Sequence, residues 1–170
     1  MKNLPQNEQR DLREIFADLE SIDTLQGEIN CKVSAISVFD HWLSPDEASV
    51  LLQRVATEEQ VDRDEKHFCL VKNMVERWDC LTYRQRGRGH KSYYVFKRFY
   101  DRAEVLKYAL PMKSRRSSLH HFKLVLPEIR GIYIQGFDDT NFLYHHGGEG
   151  ITELLGMAAE CGLHELEVNT

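Results

Sequence analysis

The sequence predicts an α+β fold, a single domain over residues 1–170 with a mostly antiparallel sheet and three to four helices packed on it. Three observations lead there. Strand-like runs follow one another through short turns, which makes neighbouring strands antiparallel. Stretches with apolar residues at three- and four-residue spacing stand before, between and after those runs. No internal repeat, low-complexity tract or linker rich in Pro, Gly or Ser divides the chain. At 170 residues it is long enough to bury a core. Hydrophobic content of 42% and charged content of 29% exclude wholesale disorder and a fibrous repeat.

Residues 7–22 place Leu12, Ile15, Phe16, Leu19 and Ile22 on one apolar stripe and predict a helix, with Gly27 helping to end the region. Residues 30–39 are rich in β-branched side chains and predict a strand. Ser44-Pro45-Asp46-Glu47 is a capping box with Pro at the first helical position, opening a helix to about residue 59 that buries Val50, Leu51 and Val55. The apolar run 68–71 is helix or strand, and its spacing does not separate the two. Residues 78–86 and 90–99 predict two strands joined at Gly87-Arg88-Gly89, whose glycines permit the positive φ of a tight turn. Asp101 with Glu104 caps a short helix that ends before Pro111. Strands over 119–126 and 131–137 join through Pro127, and Asp138-Asp139-Thr140-Asn141 turns into a strand over 142–146. A helix over 150–161 ends at Gly162 and leads to a last strand at 164–168.

Cys31, Cys69, Cys80 and Cys161 form no C-x-x-C pair, so neither a zinc knuckle nor a dithiol redox motif is indicated. Among apolar neighbours, and with no apolar signal region at the N-terminus, they read as buried thiols of a reducing compartment. No apolar stretch approaches the roughly 18 residues of a membrane helix, so the expectation is a cytoplasmic protein with no membrane partner.

A formal charge of −5 hides a segregation. Residues 1–83 carry a net −8, residues 84–123 a net +10, and residues 124–170 a net −7. The basic segment is interleaved with aromatics. Arg84, Arg86, Arg88 and Lys91 surround the hairpin tip, with Tyr93 and Tyr94 on the returning arm and Lys97, Arg98 and Arg102 beyond. A second cluster, Lys113-Ser114-Arg115-Arg116-Ser117-Ser118, follows as a polar loop.

The leading expectation is a small, non-enzymatic protein that binds nucleic acid. Arg84, Arg86, Arg88, Lys91, Lys113, Arg115 and Arg116 would neutralise phosphates. Tyr93 and Tyr94 point to opposite faces of one strand, so at most one is a stacking platform and the other is core. Against this stands the possibility that the cations pair with the acidic flanks in a mixed, solvated surface. A protein-interaction module, such as an inhibitor, immunity or adaptor protein, would instead use those acidic segments toward a basic partner.

A third expectation is an enzyme acting on a phosphorylated substrate through His120, His121, His145 or His146 beside arginines. One histidine from each pair with Asp138 or Asp139 would also suit a divalent metal, although those aspartates have the setting of turn residues. No G-x-S-x-G elbow, P-loop, H-E-x-x-H or G-x-G-x-x-G is present, and no cofactor is implied. The run His146-Gly147-Gly148-Glu149-Gly150-Ile151, with the helix and strand after it, resembles the pyrophosphate-binding turn of the GNAT acetyltransferases over about 25 residues, a turn that holds coenzyme A on backbone N–H groups. His145 stands where that turn carries Arg or Gln, and the family's further helix and strands have no counterpart before Thr170. The chain is therefore not assigned to that family.

Overall fold

The computed structural model describes residues 1–24, 29–53, 55–87, 93–110 and 121–168. In chain order its elements are β1 (Lys2–Asn3), α1 (Gln6–Ile15), α2 (Leu19–Thr24), β2 (Lys32–Ser37), α3 (Pro45–Leu51), α4 (Thr57–Arg77), β3 (Leu81–Arg86) and β4 (Tyr93–Arg98). There follow α5 (Arg102–Tyr108), β5 (Lys123–Leu126), a single 3-10 turn (Pro127–Ile129), β6 (Gly131–Ile134), β7 (Thr140–His145), α6 (Glu149–Glu160) and β8 (His164–Glu167). All eight strands join one antiparallel sheet in the order β1-β4-β3-β5-β6-β7-β2-β8.

Helices cover both faces of this sheet. On one face α4, α5 and α6 bring Leu70, Met74, Val105, Ile151 and Leu154 onto Leu124, Leu126, Tyr133 and Leu143. On the other, α1 and α2 bring Leu12, Phe16, Leu19 and Ile22 onto Tyr83, Phe96, Val125 and Ile132. Successive residues of β5 therefore enter opposite cores, and its sequence Lys-Leu-Val-Leu has no polar alternation.

The α+β class and the antiparallel sheet stand, but three to four helices is an undercount. The described residues form six. The stripe at 7–22 spans two helices that break at Phe16, whose N–H closes on Leu12 C=O at 2.9 Å. Both pieces face the same side of the sheet, so the apolar period runs through the break unaltered. The helix expected to reach residue 59 is also two. The capping box at Ser44 is present and starts α3, which ends at Leu51. A separate 21-residue helix, α4, then runs from Thr57 and absorbs the ambiguous run at 68–71. Its inward positions Gln60, Arg63, Leu70, Val71, Met74 and Val75 keep helical spacing, but the first of them are polar. An apolar period is therefore invisible over the first half.

The cysteine expectation also needs correcting: Cys69 on α4 is disulfide-bonded to Cys161 at the end of α6, with Cα atoms 5.9 Å apart. Cys31 and Cys80 remain thiols. Burial, then the nearby charges of Asp79 and Glu128, push Cys80 up to about 12, which keeps it a thiol at neutral pH. Among the described residues no helix is long and apolar enough to cross a membrane.

The β4 edge beyond the short β1 is closed by α1. The Gln9 amide accepts Phe96 N–H at 2.8 Å and donates to Phe96 C=O at 2.7 Å, and Arg13 Nε donates to Tyr94 C=O at 2.9 Å. These side chains occupy backbone groups that an added strand would otherwise take.

Candidate nucleic-acid interface

The β3–β4 hairpin holds the residues that the charge distribution singles out. Its register pairs Thr82 with Lys97, Arg84 with Val95 and Arg86 with Tyr93, which puts these six side chains on one face. Tyr83, Tyr94, Phe96 and Arg98 lie on the other. Among the described residues β3 meets β5 at the single pair Leu81–Val125.

The two faces differ in how their cations are satisfied. On the α1 side Arg98 is paired with Glu8 at 3.4 Å and Asp79 at 3.2 Å. Lys123 is paired with Asp23 at 2.6 Å and stands 5.0 Å over the Tyr83 ring. Tyr83 is buried, donates its hydroxyl to Asp23 at 2.6 Å and meets Tyr94 edge-on at 5.5 Å. Burial, followed by the charges of Asp23 and Glu20, pushes the Tyr94 phenol up to about 12, and its hydroxyl has no hydrogen-bond partner among the described residues. Tyr94 belongs to this core.

On the opposite face Thr82 is buried beneath α5, its hydroxyl 3.1 Å from that of Tyr108. Beyond it Arg84 and Arg86 are exposed, and Tyr93 is 50% exposed. Among the described residues none of Arg84, Arg86 and Lys97 has an ion pair. The Lys97 ammonium is held below its ordinary value by partial burial and then by the charges of Arg84 and Arg86. Arg13 reaches the same place from α1, its guanidinium 5.5 Å from the centre of the Tyr93 ring. Arg13 and Arg86 thus stand beside the exposed Tyr93 ring, with Arg84 and Lys97 further along the same face.

Of the residues proposed from sequence, Arg84, Arg86 and Tyr93 meet on this face and Tyr94 does not. Arg88, Lys91, Lys113, Arg115 and Arg116 lie outside the described residues. Lys97 and Arg13 belong to the cluster but were not among the phosphate contacts expected from sequence. Strand alternation from Tyr93 would have placed Lys97, whereas nothing local to α1 marks Arg13.

Among the described residues, His121 is not brought to the pair His145–His146. His145 pairs with Gly131, at one end of the β6–β7 ladder, while His121 precedes Lys123, which pairs with Ile134 at the other. Several strand residues at about 3.3 Å each separate them. His120 lies outside the described residues. His145 does touch Ser34, which touches Glu165, but the wiring is not that of a nucleophile. Nδ1 accepts Gly147 N–H at 3.0 Å, so Nε2 carries the proton toward Ser34 Oγ at 3.1 Å, and Ser34 donates to Glu165 at 2.6 Å. The histidine has no lone pair left to accept the serine proton. The same bond occupies the first N–H of the glycine turn that resembled a pyrophosphate site. Among the described residues no group of three or more His, Cys, Asp or Glu is placed to hold a metal ion. Asp138 and Asp139 are turn residues, at φ 57° and 54°.

The histidine that sequence reasoning missed is His67, on the polar half of α4. Its Nε2 donates to Asp139 C=O at 3.0 Å, and Nδ1 accepts from Asn141 Nδ2 at 3.1 Å. Burial holds its pKa below the ordinary 6.5, opposed by the Asp139 carbonyl bond and by the charges of Asp139 and Asp64. The unfolded chain therefore takes up this proton first. The contribution of His67 to stability is complete above about pH 6.5 and is lost as the pH falls from there toward its folded value. An NMR pH titration is expected to find the His67 ring neutral at pH 6.5. His41 is expected to be protonated there, since hydrogen bonds to Asp40 and Glu47 raise it. A His67 midpoint at or above 6.5 would contradict this.

Comparison of the chain with protein-family models, with curated proteins and with solved structures finds no match.

Proposed function

We propose that the chain binds nucleic acid through the outer face of the β3–β4 hairpin, with phosphates on Arg84, Arg86, Lys97 and Arg13 and an unpaired base against Tyr93. The observation that carries this reading is the asymmetry of the hairpin. Cations of the same segment that face α1 are neutralised by Asp23, Glu8 and Asp79, while those facing outward have no described carboxylate partner. A solvated, mixed-charge surface would have paired both sets. Like charges set along one face repel one another in the free protein, and the arrangement becomes favourable when a polyanion with stackable bases lies along it. The expected role is non-enzymatic.

Fluorescence anisotropy with labelled single- and double-stranded DNA and RNA across a salt series tests it. For a single strand each phosphate neutralised adds about 0.7 to the log–log salt slope, so replacing Arg84, Arg86 and Lys97 together by alanine is expected to flatten it by about 2. Tyr93→Ala is expected to cost about 1–3 kcal/mol for single strands and little for duplexes. Arg77→Ala, which removes an exposed cation paired with Glu153 at 2.6 Å, serves as the control. No binding at low salt, or a slope unchanged in the triple variant, would overturn the proposal and favour a protein partner for the acidic segments.

A further inference from the structure

Phe137, 67% exposed, stands between two hollows. One is a cavity of about 200 Å3 beside His67 and its polar network. The other is a groove of about 290 Å3. Its floor includes Phe142 of β7 and Leu166 of β8, which the register sets opposite Ala35 on the α1–α2 face of the sheet. Its walls include Trp42 and Leu43, and Ala48 and Leu52 from one side of α3. No residue of α3 is buried, not even Val50, which its spacing predicts in the core. The Ser37 and Thr140 hydroxyls at the groove bond each other at 2.9 Å, so apolar side chains supply most of the contact it offers.

Trp42 is 51% exposed yet fixed in place, because its Nε1 donates to Glu167 C=O on the edge strand at 2.8 Å. A held, half-exposed Trp beside an apolar hollow is the kind of side chain that anchors a protein interface. The volume falls just under the roughly 300–1,000 Å3 of small-molecule sites, and the Trp42 and Phe137 rings carry apolar surface out of the hollow. One side chain of a larger partner suits that shape better than a free small ligand. Charge decides which partner. Residues 37–52, 136–142 and 164–167 supply the lining side chains and contain seven Asp and Glu but no Lys or Arg. Asp40 and Glu47 are held by His41, and Asp139 is paired with Arg63 at 3.0 Å. The other four, Asp46, Asp138, Glu165 and Glu167, have no ion pair among the described residues. Asp138 lines the groove and is exposed, Asp46 lies in the first turn of α3, and the two glutamates flank Leu166 on β8.

We propose that this groove docks a basic segment of another protein. The segment inserts one bulky aliphatic or aromatic side chain beside Trp42 and Phe137, and its Lys or Arg side chains lie toward Asp138, Asp46 and the β8 glutamates. An acidic segment would gain the same apolar contact against a repulsive field. No residue of the hairpin takes part, so the groove stands or falls independently of nucleic-acid binding.

The test is isothermal titration at pH 7 with three short capped peptides. One is built of lysine and leucine, one has glutamate in place of the lysines, and one has serine in place of the leucines. The lysine–leucine peptide is expected to bind saturably and to shift the emission of Trp42 to the blue, Trp78 being buried already. The other two are expected not to bind. Trp42→Ala is expected to weaken the lysine–leucine peptide at least about tenfold, as loss of an interface anchor does. Asp46→Lys with Glu167→Lys is expected to move the preference toward the glutamate–leucine peptide, a gain that misfolding would not produce. The triple hairpin variant should bind the lysine–leucine peptide as the parent does. A lysine–leucine peptide that binds no better than the other two, or equally well to Trp42→Ala, or a preference unmoved by the double lysine variant, would remove the proposal.

Discussion

Arg63→Ala is expected to destabilise the protein by about 3 kcal/mol or more, the range for removing one partner of a buried ion pair. Arg63 is 5% exposed. It donates to Leu51 C=O at 2.9 Å and to Asp139 at 3.0 Å, contacts Glu59, and stands 4.9 Å over the Phe39 ring. It therefore ties α4 to the end of α3 and to the β6–β7 turn at once. Its removal leaves the largely buried Asp139 carboxylate with the Gln60 amide as its only described side-chain donor. Arg63→Lys is expected to recover only part of the loss, because one ammonium cannot reproduce the fork that reaches three acceptors. Urea unfolding at pH 7 measures it. The double variant Arg63→Ala/Asp139→Asn should lose less than the sum of the singles, since it no longer buries an unpaired charge. An Arg63→Ala protein within about 0.5 kcal/mol of the parent, the usual effect of an ordinary surface substitution, would refute the assignment.

Arg63 also shows where the sequence stops being readable. Local chemistry was legible: the Ser44 capping box, the Asp101 cap that accepts Glu104 N–H at 2.8 Å, and the hairpin arms all need only residues a few positions apart. The polar first half of α4 was not. Gln60, Arg63 and His67 occupy core-facing positions because Asp139 and Asn141, more than 70 residues on, supply their partners. Until those partners are placed, the polar residues read as an exposed or irregular stretch. The disulfide was hidden for the same reason, with 92 residues separating Cys69 from Cys161.

The candidate interface divides along the same line. The positive segment and the opposite facing of Tyr93 and Tyr94 follow from composition and strand alternation. Which cations are neutralised does not. Arg98 and Lys123 looked no different from Arg84 and Arg86 until α1 and α2 brought Glu8 and Asp23 to one side of the hairpin. The His67 cavity had no sequence signal at all, because its walls come from α4, the segments next to α5 and β5, and the turn between β6 and β7.

Gly136→Ala is expected to cost about 3 kcal/mol, the upper part of the usual range for forcing extra atoms into a packed site. A Cβ there would stand 2.2 Å from Thr140 O and 2.9 Å from Phe142 Cε2. The nearer contact is backbone, held in place because Thr140 pairs with Ser37 in the sheet, so no rotamer change relieves it. The turn must open instead, which strains the Gly136 N–H bond to Asn141 Oδ1 and with it the orientation that Asn141 gives to Tyr133 and His67. Gly156→Ala is the matched comparison. An added Cβ meets nothing within 4 Å on the solvent side of α6, and replacing glycine inside a helix is expected to gain up to about 1 kcal/mol. Thermal or urea unfolding of the two variants should therefore move in opposite directions. In Gly136→Ala the NMR midpoint of His67 should also rise toward 6.5, because an opened turn readmits water to the ring that burial had kept neutral. A Gly136→Ala protein as stable as the parent, with His67 unmoved, would mean that the β6–β7 turn is not the fixed wall on which both the cavity and the buried polar network depend.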